Sequence, residues 1–379
     1  MNGGKNVLEK LKINKKLLRE LDFSIILIVA IIGLFGALNI YSATNTRAGI
    51  AVFKSQLVWL TMGFGVMYFI LVFDYSLIQG YANIIYWLGV ILLFLNDTIF
   101  KSTVNGAGSW MKIGSVTIGQ PSELAKLGLI IMLAKELDSM ECNINNLRNF
   151  FKLLGYAAIP MILIIIQPDM GMTMVCFFIV LGIFFAAGLD SKIIGGGIAS
   201  VAVLIAIVWN SPIMHEYWKV RLTSFLNPEK DELGSGLQLI QSQIGIGSGG
   251  MLGKGFLKGT QIEGGFIPES HTDFIFSVVG EEWGLIGAIF LLLMYGILIY
   301  KFINIAKTSK DVFGSMVTIG VVSTFLFSIM QNIGMTIGVM PITGITLPLM
   351  SYGGSSMLTA FMSIGLVINI GMRRKKINF

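Results

Sequence analysis

The chain has 379 residues, of which 54% are hydrophobic and only 13% are charged. Soluble domains carry about 25% charged residues, so this composition excludes an ordinary soluble domain. The net charge of +6 does not indicate nucleic-acid binding, because the basic residues flank apolar segments instead of forming a separate basic domain.

Apolar segments long enough to cross a bilayer recur along the whole chain. A transmembrane helix needs about 20 apolar residues, and segments of about that length occur at 23–41, 52–73, 77–95, 122–137, 150–166, 171–188, 192–209, 274–302, 312–338 and 347–371. The fourth is the weakest, because it carries Glu123 and Lys126. The pattern predicts an all-α polytopic membrane protein with about ten transmembrane helices.

Basic residues predict the orientation of these helices. If the N-terminus is cytoplasmic, most of the 27 Lys and Arg residues lie on the inner side, as the positive-inside rule expects. Both termini are therefore predicted to be cytoplasmic. We divide the chain into a basic N-terminus (1–22), a single transmembrane domain (23–371) and a basic tail (372–379). The extracellular loop 211–272 is much longer than a helix connection requires, which indicates a function.

Within this loop, two stretches have recognisable patterns. Leu237, Ile240 and Ile244 recur at helical spacing, which predicts a short helix at the membrane surface. The glycine-rich run 247–259 follows and contains Lys254. This run is interpreted either as a flexible linker or as an anion-binding nest.

Asp273 is the sharpest candidate for catalysis, because it lies in the first turn of the span predicted after the loop. Acidic groups at the rim of the hydrocarbon layer are costly, and they are by default a functional-site hypothesis. An aspartate there can act as a general base that takes a proton from a substrate hydroxyl. The alternative is a helix cap formed by Thr272 or Asp273. Glu269 and His271 are interpreted as rim or capping residues.

Four further charged residues are candidates for substrate binding. Glu123 and Lys126 share a helix face, and they form either a structural ion pair or the polar lining of a cavity for an anionic headgroup. Asp169 lies in a turn and is interpreted as a structural or supporting carboxylate. Arg221 either grips a phosphate or anchors the loop to lipid headgroups. No Walker, GxGxxG, HExxH or CxxC motif occurs, so the substrate itself must carry the energy for any reaction.

The segment NIGMTIGVMPITGITLPLMSYGGSS, from Asn332 to Ser356, resembles the signature of the SEDS family, the RodA, FtsW and SpoVE proteins. Other blocks that resemble the family stand in the same order: GSWMKIGSVTIGQPSELAKL, QPDMG, RLTSFLNP, GIGSGGMLGKGFLKGTQ and IPESHTDFIFSVVGEEWG. The resemblance extends from Phe23 onward and is most like the RodA members. One departure is Ser109, because the family often has a basic residue before the tryptophan, which is Trp110 here.

The resemblance implies a glycosyltransferase of the bacterial plasma membrane. Such an enzyme polymerises lipid II, a disaccharide-peptide on undecaprenyl diphosphate, into glycan strands for cell-wall elongation, with inversion at the sugar carbon. Asp273 matches the family's essential aspartate. Glu123 and Lys126 match polar positions in the central cavity, and Asp169 and Arg221 match positions near it.

The chemistry also requires stabilisation of the departing diphosphate. Arg221, Lys126 and Lys254 are the candidate cations, and a divalent cation, Mg²⁺ or Mn²⁺, is an additional expectation. The resemblance further implies a class B penicillin-binding protein as partner, besides membrane lipids. Alternatives are a flippase for the lipid-linked precursor, a scaffold without catalytic activity, or a role in division or sporulation. The missing inverted repeat argues against the flippase.

Overall fold

The structure is a computed structural model, and it describes residues 19–45, 49–104, 107–113, 116–209, 211, 219, 222–230 and 234–374. Its helices are α1 (Phe23–Thr44), α2 (Gly49–Val72), α3 (Tyr75–Gly80), α4 (Ala82–Thr98), α5 (Pro121–Ser139), α6 (Leu147–Ile166), α7 (Met170–Ala186), α8 (Ser191–Trp209), α9 (Ser235–Gly249), α10 (Thr260–Glu263), α11 (Ile275–Thr308), α12 (Val312–Thr336) and α13 (Gly354–Met372).

Each of the predicted apolar segments contains a helix. In the described part of the chain, six helices are long and apolar enough to cross a membrane, namely α1, α2, α6, α11, α12 and α13. The helices α4, α7 and most of α8 are equally apolar but shorter. The helix α5 carries the charges that made the fourth segment the weakest. The multi-pass helical architecture is confirmed, while the count of ten spans stays a prediction.

The connection between α4 and α5 is not helical, which adds a small sheet to the predicted all-α fold. Strands β1 (Lys101–Val104), β2 (Ala107–Ile113) and β3 (Val116–Gly119) form an antiparallel sheet in the order β1-β2-β3. The sequence signal is the pair Asn105-Gly106 between two short runs, a combination typical of hairpins. The sheet leads directly into the start of α5.

The last predicted span begins later than expected, because residues 347–353 are not helical and α13 starts at Gly354. Pro348 has no amide hydrogen to donate, and Leu349 has a left-handed backbone with φ of 68°. Both features prevent a regular helix here. The segment instead folds back over the start of α11.

The helix α11 is broken at Gly284, where φ is 63° and ψ is −159°. The loop after α9 is inserted at this break through four backbone hydrogen bonds: Lys254 N to Glu281 O at 3.0 Å, Gly255 N to Glu282 O at 3.0 Å, Leu285 N to Gly250 O at 2.9 Å and Ile286 N to Met251 O at 3.2 Å. Irregular backbone inside a membrane is stable only where protein groups satisfy it. The loop provides those partners.

This close approach requires glycine on both sides. A Cβ atom on Gly253 would lie 2.1 Å from the carbonyl oxygen of Glu282, and one on Gly284 would lie 2.4 Å from the amide nitrogen of Gly253. A Cβ on Gly249 would lie 2.0 Å from the carbonyl oxygen of Gly280. The glycine-rich run is thus a tightly packed segment here, and not the flexible linker that was one interpretation of it.

Two ion pairs join neighbouring elements at the end of the bundle where α1 begins. Arg373 Nε lies 3.0 Å from Asp74 Oδ2, and Lys301 Nζ lies 2.9 Å from Asp22 Oδ2. Burial alone would raise the pKa of Asp74, but hydrogen bonds from Ser76 and the charge of Arg373 hold that pKa below its usual value. We call this the Arg373 end, and the end that carries the sheet and α9 the Asp273 end.

Candidate active site

Residues of the signature segment, Asn332 to Ser356, hold the main chain of three consecutive residues, His271, Thr272 and Asp273. The hydrogen bonds are Asn332 Nδ2 to Asp273 O at 2.7 Å, Ser351 Oγ to Thr272 O at 2.6 Å and Tyr352 N to His271 O at 2.9 Å. Because these bonds end on backbone carbonyls, they fix the position of Asp273 without using its carboxylate.

The same two side chains also order the loop that covers Asp273. Asn332 Nδ2 donates to the carbonyl of Ile345 at 2.7 Å, and Ser351 Oγ accepts from the amide of Leu347 at 2.8 Å. Both side chains are buried. Asn332 and Ser351 therefore join the loop 337–353 and the start of α11 into one unit, which a local reading of the signature did not reveal.

Gly344 brings the backbone of this loop to the carboxylate of Asp273. Its φ is +73°, and a Cβ atom at this position would lie 3.3 Å from Asp273 Oδ2. Left-handed backbone favours glycine, and a side chain here would also press on the acid. The loop therefore approaches the carboxylate through a residue that leaves space beside it.

The N-cap position of α11 is Phe274, whose side chain makes no capping hydrogen bond. Asp273 is partly exposed. The turn before it is stabilised by Glu269, whose Oε2 accepts from Thr272 Oγ1 at 2.7 Å. Glu269 thus has a local structural contact, in keeping with its interpretation as a rim or capping residue.

Asp169 connects the starts of two helices. It is the N-cap of α7, where Oδ1 accepts from the amide of Met172 at 2.9 Å, and its Oδ2 accepts from Gln120 Nε2 at 2.8 Å. The backbone amide of Gln120 donates to Ser355 Oγ of α13 at 3.3 Å. Asp169 therefore has the structural role that was one interpretation of it, and it lies among the beginnings of α5, α7 and α13.

Glu123 and Lys126 form an ion pair at 2.8 Å on α5, and both side chains are nearly buried. Thr359 of α13 donates a hydrogen bond to the same carboxylate oxygen of Glu123. Buried charges require such partners. The structure shows the predicted pair and adds a hydroxyl from the helix opposite.

Hydrogen bonds link Asp169, Gln120 and Ser355, and close backbone packing brings the loop beside Asp273 to the start of α7. A Cβ on Gly171, two residues after Asp169, would lie 2.7 Å from the carbonyl oxygen of Thr343, the neighbour of Gly344. Thr359 also donates to the carbonyl of Ser355 at 3.0 Å. We call this set the polar strip: Asp273, Asp169, Gln120, Ser355, Thr359, Glu123 and Lys126.

Lys254 lies elsewhere, at the break in α11. Its Nζ is 2.7 Å from Glu281 Oε1 and 2.7 Å from Thr260 Oγ1. The same oxygen of Glu281 accepts from the amide of Gln261 at 3.0 Å. The ammonium group that was a candidate for the diphosphate is therefore held by a carboxylate of the protein.

Two acids that the sequence reasoning did not single out hold the loop at this break. Glu281 is 0% exposed and binds Lys254, while Glu282 is 2% exposed and accepts a hydrogen bond from Ser42 of α1. We call Glu281 and Glu282 the clasp. The sequence signal for these residues was two consecutive acids inside a predicted span. Charged side chains inside a membrane are costly, so such a pair indicates a functional or structural role.

Arg221 and a divalent cation are the remaining predicted partners of the diphosphate. Arg221 lies outside the described residues. Within the described ranges, no group of three or more His, Cys, Asp or Glu side chains converges to hold a metal ion. The divalent cation, Mg²⁺ or Mn²⁺, stays a prediction, and no step of the proposed reaction is assigned to it.

Comparison with known proteins places this geometry in a family. The family model FTSW_RODA_SPOVE, described as "Cell cycle protein", matches residues 19–376. The chain belongs to this family. It is 36% identical over 359 residues to "Peptidoglycan glycosyltransferase MrdB" of Escherichia coli (strain K12), covering 95% of each chain. It is 34% identical to "Stage V sporulation protein E" of Bacillus subtilis (strain 168), covering 92% of this chain and 96% of that protein.

Solved structures of family members have the same fold. A structure described as "Structural coordination of polymerization and crosslinking by a peptidoglycan synthase complex" matches with a TM-score of 0.81 and 30% identity, covering 93% of this chain and 98% of that one. The rod shape determining protein RodA of Thermus thermophilus matches with a TM-score of 0.71 and 28% identity, covering 94% of this chain and 98% of that one. The resemblance noted from the signature is confirmed.

Proposed function

We propose that this family member, a peptidoglycan glycosyltransferase, polymerises lipid II in the bacterial plasma membrane with Asp273 as general base. The observation that carries the proposal is the support of Asp273 through its main chain by Asn332 and Ser351. A catalytic acid needs a fixed backbone and a carboxylate that can reach the substrate. The relatives named peptidoglycan glycosyltransferase support the reaction class.

The proposed reaction is a single displacement. The 4-hydroxyl oxygen of the acceptor's N-acetylglucosamine attacks C1 of the donor's N-acetylmuramic acid, and Asp273 takes the hydroxyl proton. The new C1–O bond forms as the bond from C1 to the diphosphate oxygen breaks. The electron pair leaves with undecaprenyl diphosphate, and the α-linked donor becomes a β-linked product. General-base assistance typically contributes about 10²–10⁴-fold, and orientation of the two sugars contributes further.

Stabilisation of the diphosphate is assigned first to Lys126, because it belongs to the polar strip. Its ammonium is paired with Glu123 at 2.8 Å, so the pair carries no net charge before substrate binds. An anionic headgroup near Lys126 would share the ammonium with Glu123. Lys254 is not assigned this role, because it pairs with Glu281 of the clasp. Arg221 is kept as a second cation from the extracellular loop.

The proposed biological setting is cell-wall elongation beside a class B penicillin-binding protein that cross-links the new strands. The support is the similarity to RodA proteins and to a chain from a peptidoglycan synthase complex. The cytoplasmic termini and the extracellular position of the Asp273 end belong to the same proposal. Relatives named for division and sporulation are also similar, which keeps those roles as alternatives.

The experiment is polymerisation of purified lipid II in detergent, followed on a gel. Asp273→Asn is expected to abolish polymer, because the amide cannot accept the proton. The matched control is Glu263→Gln in the same loop, an exposed acid outside the polar strip, which should retain activity. Near-normal polymer from Asp273→Asn would reject the base assignment. No polymer from the wild-type protein would favour the flippase or the scaffold, since detergent provides no second leaflet.

A further inference from the structure

Thr359 of α13 contacts the acidic member of the ion pair on α5. Its Oγ1 donates to Glu123 Oε2, the same oxygen that lies 2.8 Å from Lys126 Nζ. Glu123 Oε2 therefore accepts from two donors on two different helices. Thr359 is 3% exposed, and the side chains of Glu123 and Lys126 are 8% and 11% exposed. These contacts are thus largely shielded from water.

The hydroxyl of Thr359 has two further acceptors within its own helix. Oγ1 lies 3.0 Å from the carbonyl oxygen of Ser355 and 3.2 Å from that of Ser356. A hydroxyl has one proton to donate, so these carbonyls compete with Glu123 for it. A bond to the carbonyl four residues earlier is a common arrangement for a threonine inside a helix. The bond to Glu123 is therefore additional to what α13 itself requires.

This choice of acceptors makes the bond to Glu123 adjustable. The hydrogen of a hydroxyl rotates to suit its partners. Thr359 can therefore strengthen or relax its donation to Glu123 while the backbone of α13 stays in place. The donor also never becomes an unsatisfied buried group, because the carbonyl of Ser355 is within hydrogen-bond distance at 3.0 Å.

The charge balance of the ion pair gives this bond its importance. An anionic group that binds Lys126 draws the ammonium away from Glu123, as the proposed role of Lys126 requires. Glu123 is nearly buried, and a buried charge that loses its partner is strongly destabilised. A hydroxyl that still donates to the same oxygen offsets part of that cost, because hydrogen bonds to charged groups are stronger than those between neutral groups.

We propose that Thr359 is a positioning residue for diphosphate binding, an inference that rests on the proposed function. It holds the carboxylate of Glu123 when the ammonium of Lys126 turns toward the diphosphate of the lipid-linked sugar. Thr359 acts through Glu123 and does not itself touch the substrate. The alternative is a structural hydroxyl that only joins α13 to α5, whose loss would affect every ligand equally.

The test compares two lipids that share one chain and differ in charge. Binding of undecaprenyl diphosphate and of undecaprenol to the purified protein is measured for the wild type and for Thr359→Val, which replaces the hydroxyl with a methyl group. We expect Kd for undecaprenyl diphosphate to rise about tenfold, as for the loss of one hydrogen bond to a charged group. Kd for undecaprenol should stay unchanged, because this lipid carries no charge for Lys126 to bind.

Two further variants control this result. Thr359→Ser keeps the hydroxyl and should retain the wild-type Kd. Thr318→Val is the matched control, because Thr318 of α12 is also buried, donates to the carbonyl of Gly314 in its own helix at 2.8 Å and lies outside the polar strip. It should leave both Kd values unchanged. An equal loss of affinity for the two lipids in Thr359→Val, or no loss for either, would overturn the proposal.

A second comparison repeats the substitution in a Glu123→Gln background. The glutamine carries no negative charge, so it does not compete for Lys126 and gives Thr359 no charge to hold. Adding Thr359→Val to Glu123→Gln should therefore change Kd for undecaprenyl diphosphate by less than about twofold. An effect as large as in the wild-type background would show that Thr359 acts without Glu123, which would also overturn the proposal.

These binding measurements do not need turnover, so their outcome is separate from that of the proposed function. Absence of polymer from the wild-type protein with lipid II would reject the proposed function. Polymer formation by the wild type, together with unchanged binding in Thr359→Val, would reject only the role of Thr359.

Discussion

The clasp and the neighbourhood of Asp273 use acidic residues in opposite ways. At the break in α11, the carboxylates themselves make the stabilising contacts, since Glu281 binds Lys254 and the backbone amide of Gln261, and Glu282 binds Ser42 of α1. Around Asp273, the side chains of Asn332 and Ser351 make the stabilising contacts, and they hold backbone carbonyls. Asp273 precedes Glu281 and Glu282 by only eight and nine residues.

The difference teaches how to separate a structural acid from a catalytic one. A carboxylate that satisfies buried donors is committed to the fold, and its removal leaves those donors without partners. Asp273→Asn keeps the main-chain hydrogen bonds from Asn332 and Ser351, so we expect it to cost the fold little. Substitutions in the clasp should therefore change stability, and substitution of Asp273 should change chemistry.

The largest effect on stability is expected for Lys254→Met. It leaves Glu281 buried without its cation, and breaking such a pair by removing one partner typically costs about 3–5 kcal/mol. Thermal unfolding in detergent measures the loss. The control is Lys258→Met, because Lys258 is exposed in the same loop and should change stability little.

The double variant Lys254→Met/Glu281→Met sharpens this result. It removes both charges, so part of the lost stability should return. A stable Lys254→Met variant with weakened diphosphate binding would contradict the assignment to the clasp and restore the substrate-binding role expected from the sequence.

The next effect is expected for Gly284→Ala at the break in α11. The new methyl group would lie 2.4 Å from the amide nitrogen of Gly253, at a residue with φ of +63°. A strained backbone of this kind costs about 1–3 kcal/mol before the overlap is counted. Gly296→Ala in the same helix is the control, since a Cβ there meets nothing within 4 Å. Equal stability of the two variants would show that the inserted loop is not tightly packed.

The smallest of these effects is expected for Asn332→Ala. The side chain donates to Asp273 O and to Ile345 O, both at 2.7 Å. Leaving buried acceptors unsatisfied costs about 1–3 kcal/mol. We expect kcat to fall while KM for lipid II changes little, because the main effect is on the placement of Asp273. A change in KM alone would assign Asn332 to substrate binding.

The sequence predicted the elements whose signal is local. Long apolar runs predicted the helices, and the spacing of Leu237, Ile240 and Ile244 predicted α9, which is confirmed as Ser235–Gly249. Glu123 and Lys126 were recognised as a pair because they are one helical turn apart. In each of these cases the determining residues are close in the chain.

Features that depend on distant contacts were not visible. Lys254 and Glu281 are 27 positions apart, so their pairing has no local pattern. The break at Gly284 lies inside a predicted span, and the hydrogen bonds that stabilise it come from the loop after α9, which is distant in the chain. The sheet between α4 and α5 was not predicted, although Asn105-Gly106 is a local hairpin signal.

The most direct test of the account compares Asp273→Asn with Lys254→Met in one set of measurements on purified protein. Binding of lipid II, thermal unfolding and single-turnover polymerisation are recorded for each variant. The account predicts that Asp273→Asn unfolds at the wild-type temperature and binds lipid II but forms no polymer. An Asp273→Asn protein that is unstable, or that no longer binds lipid II, would contradict it.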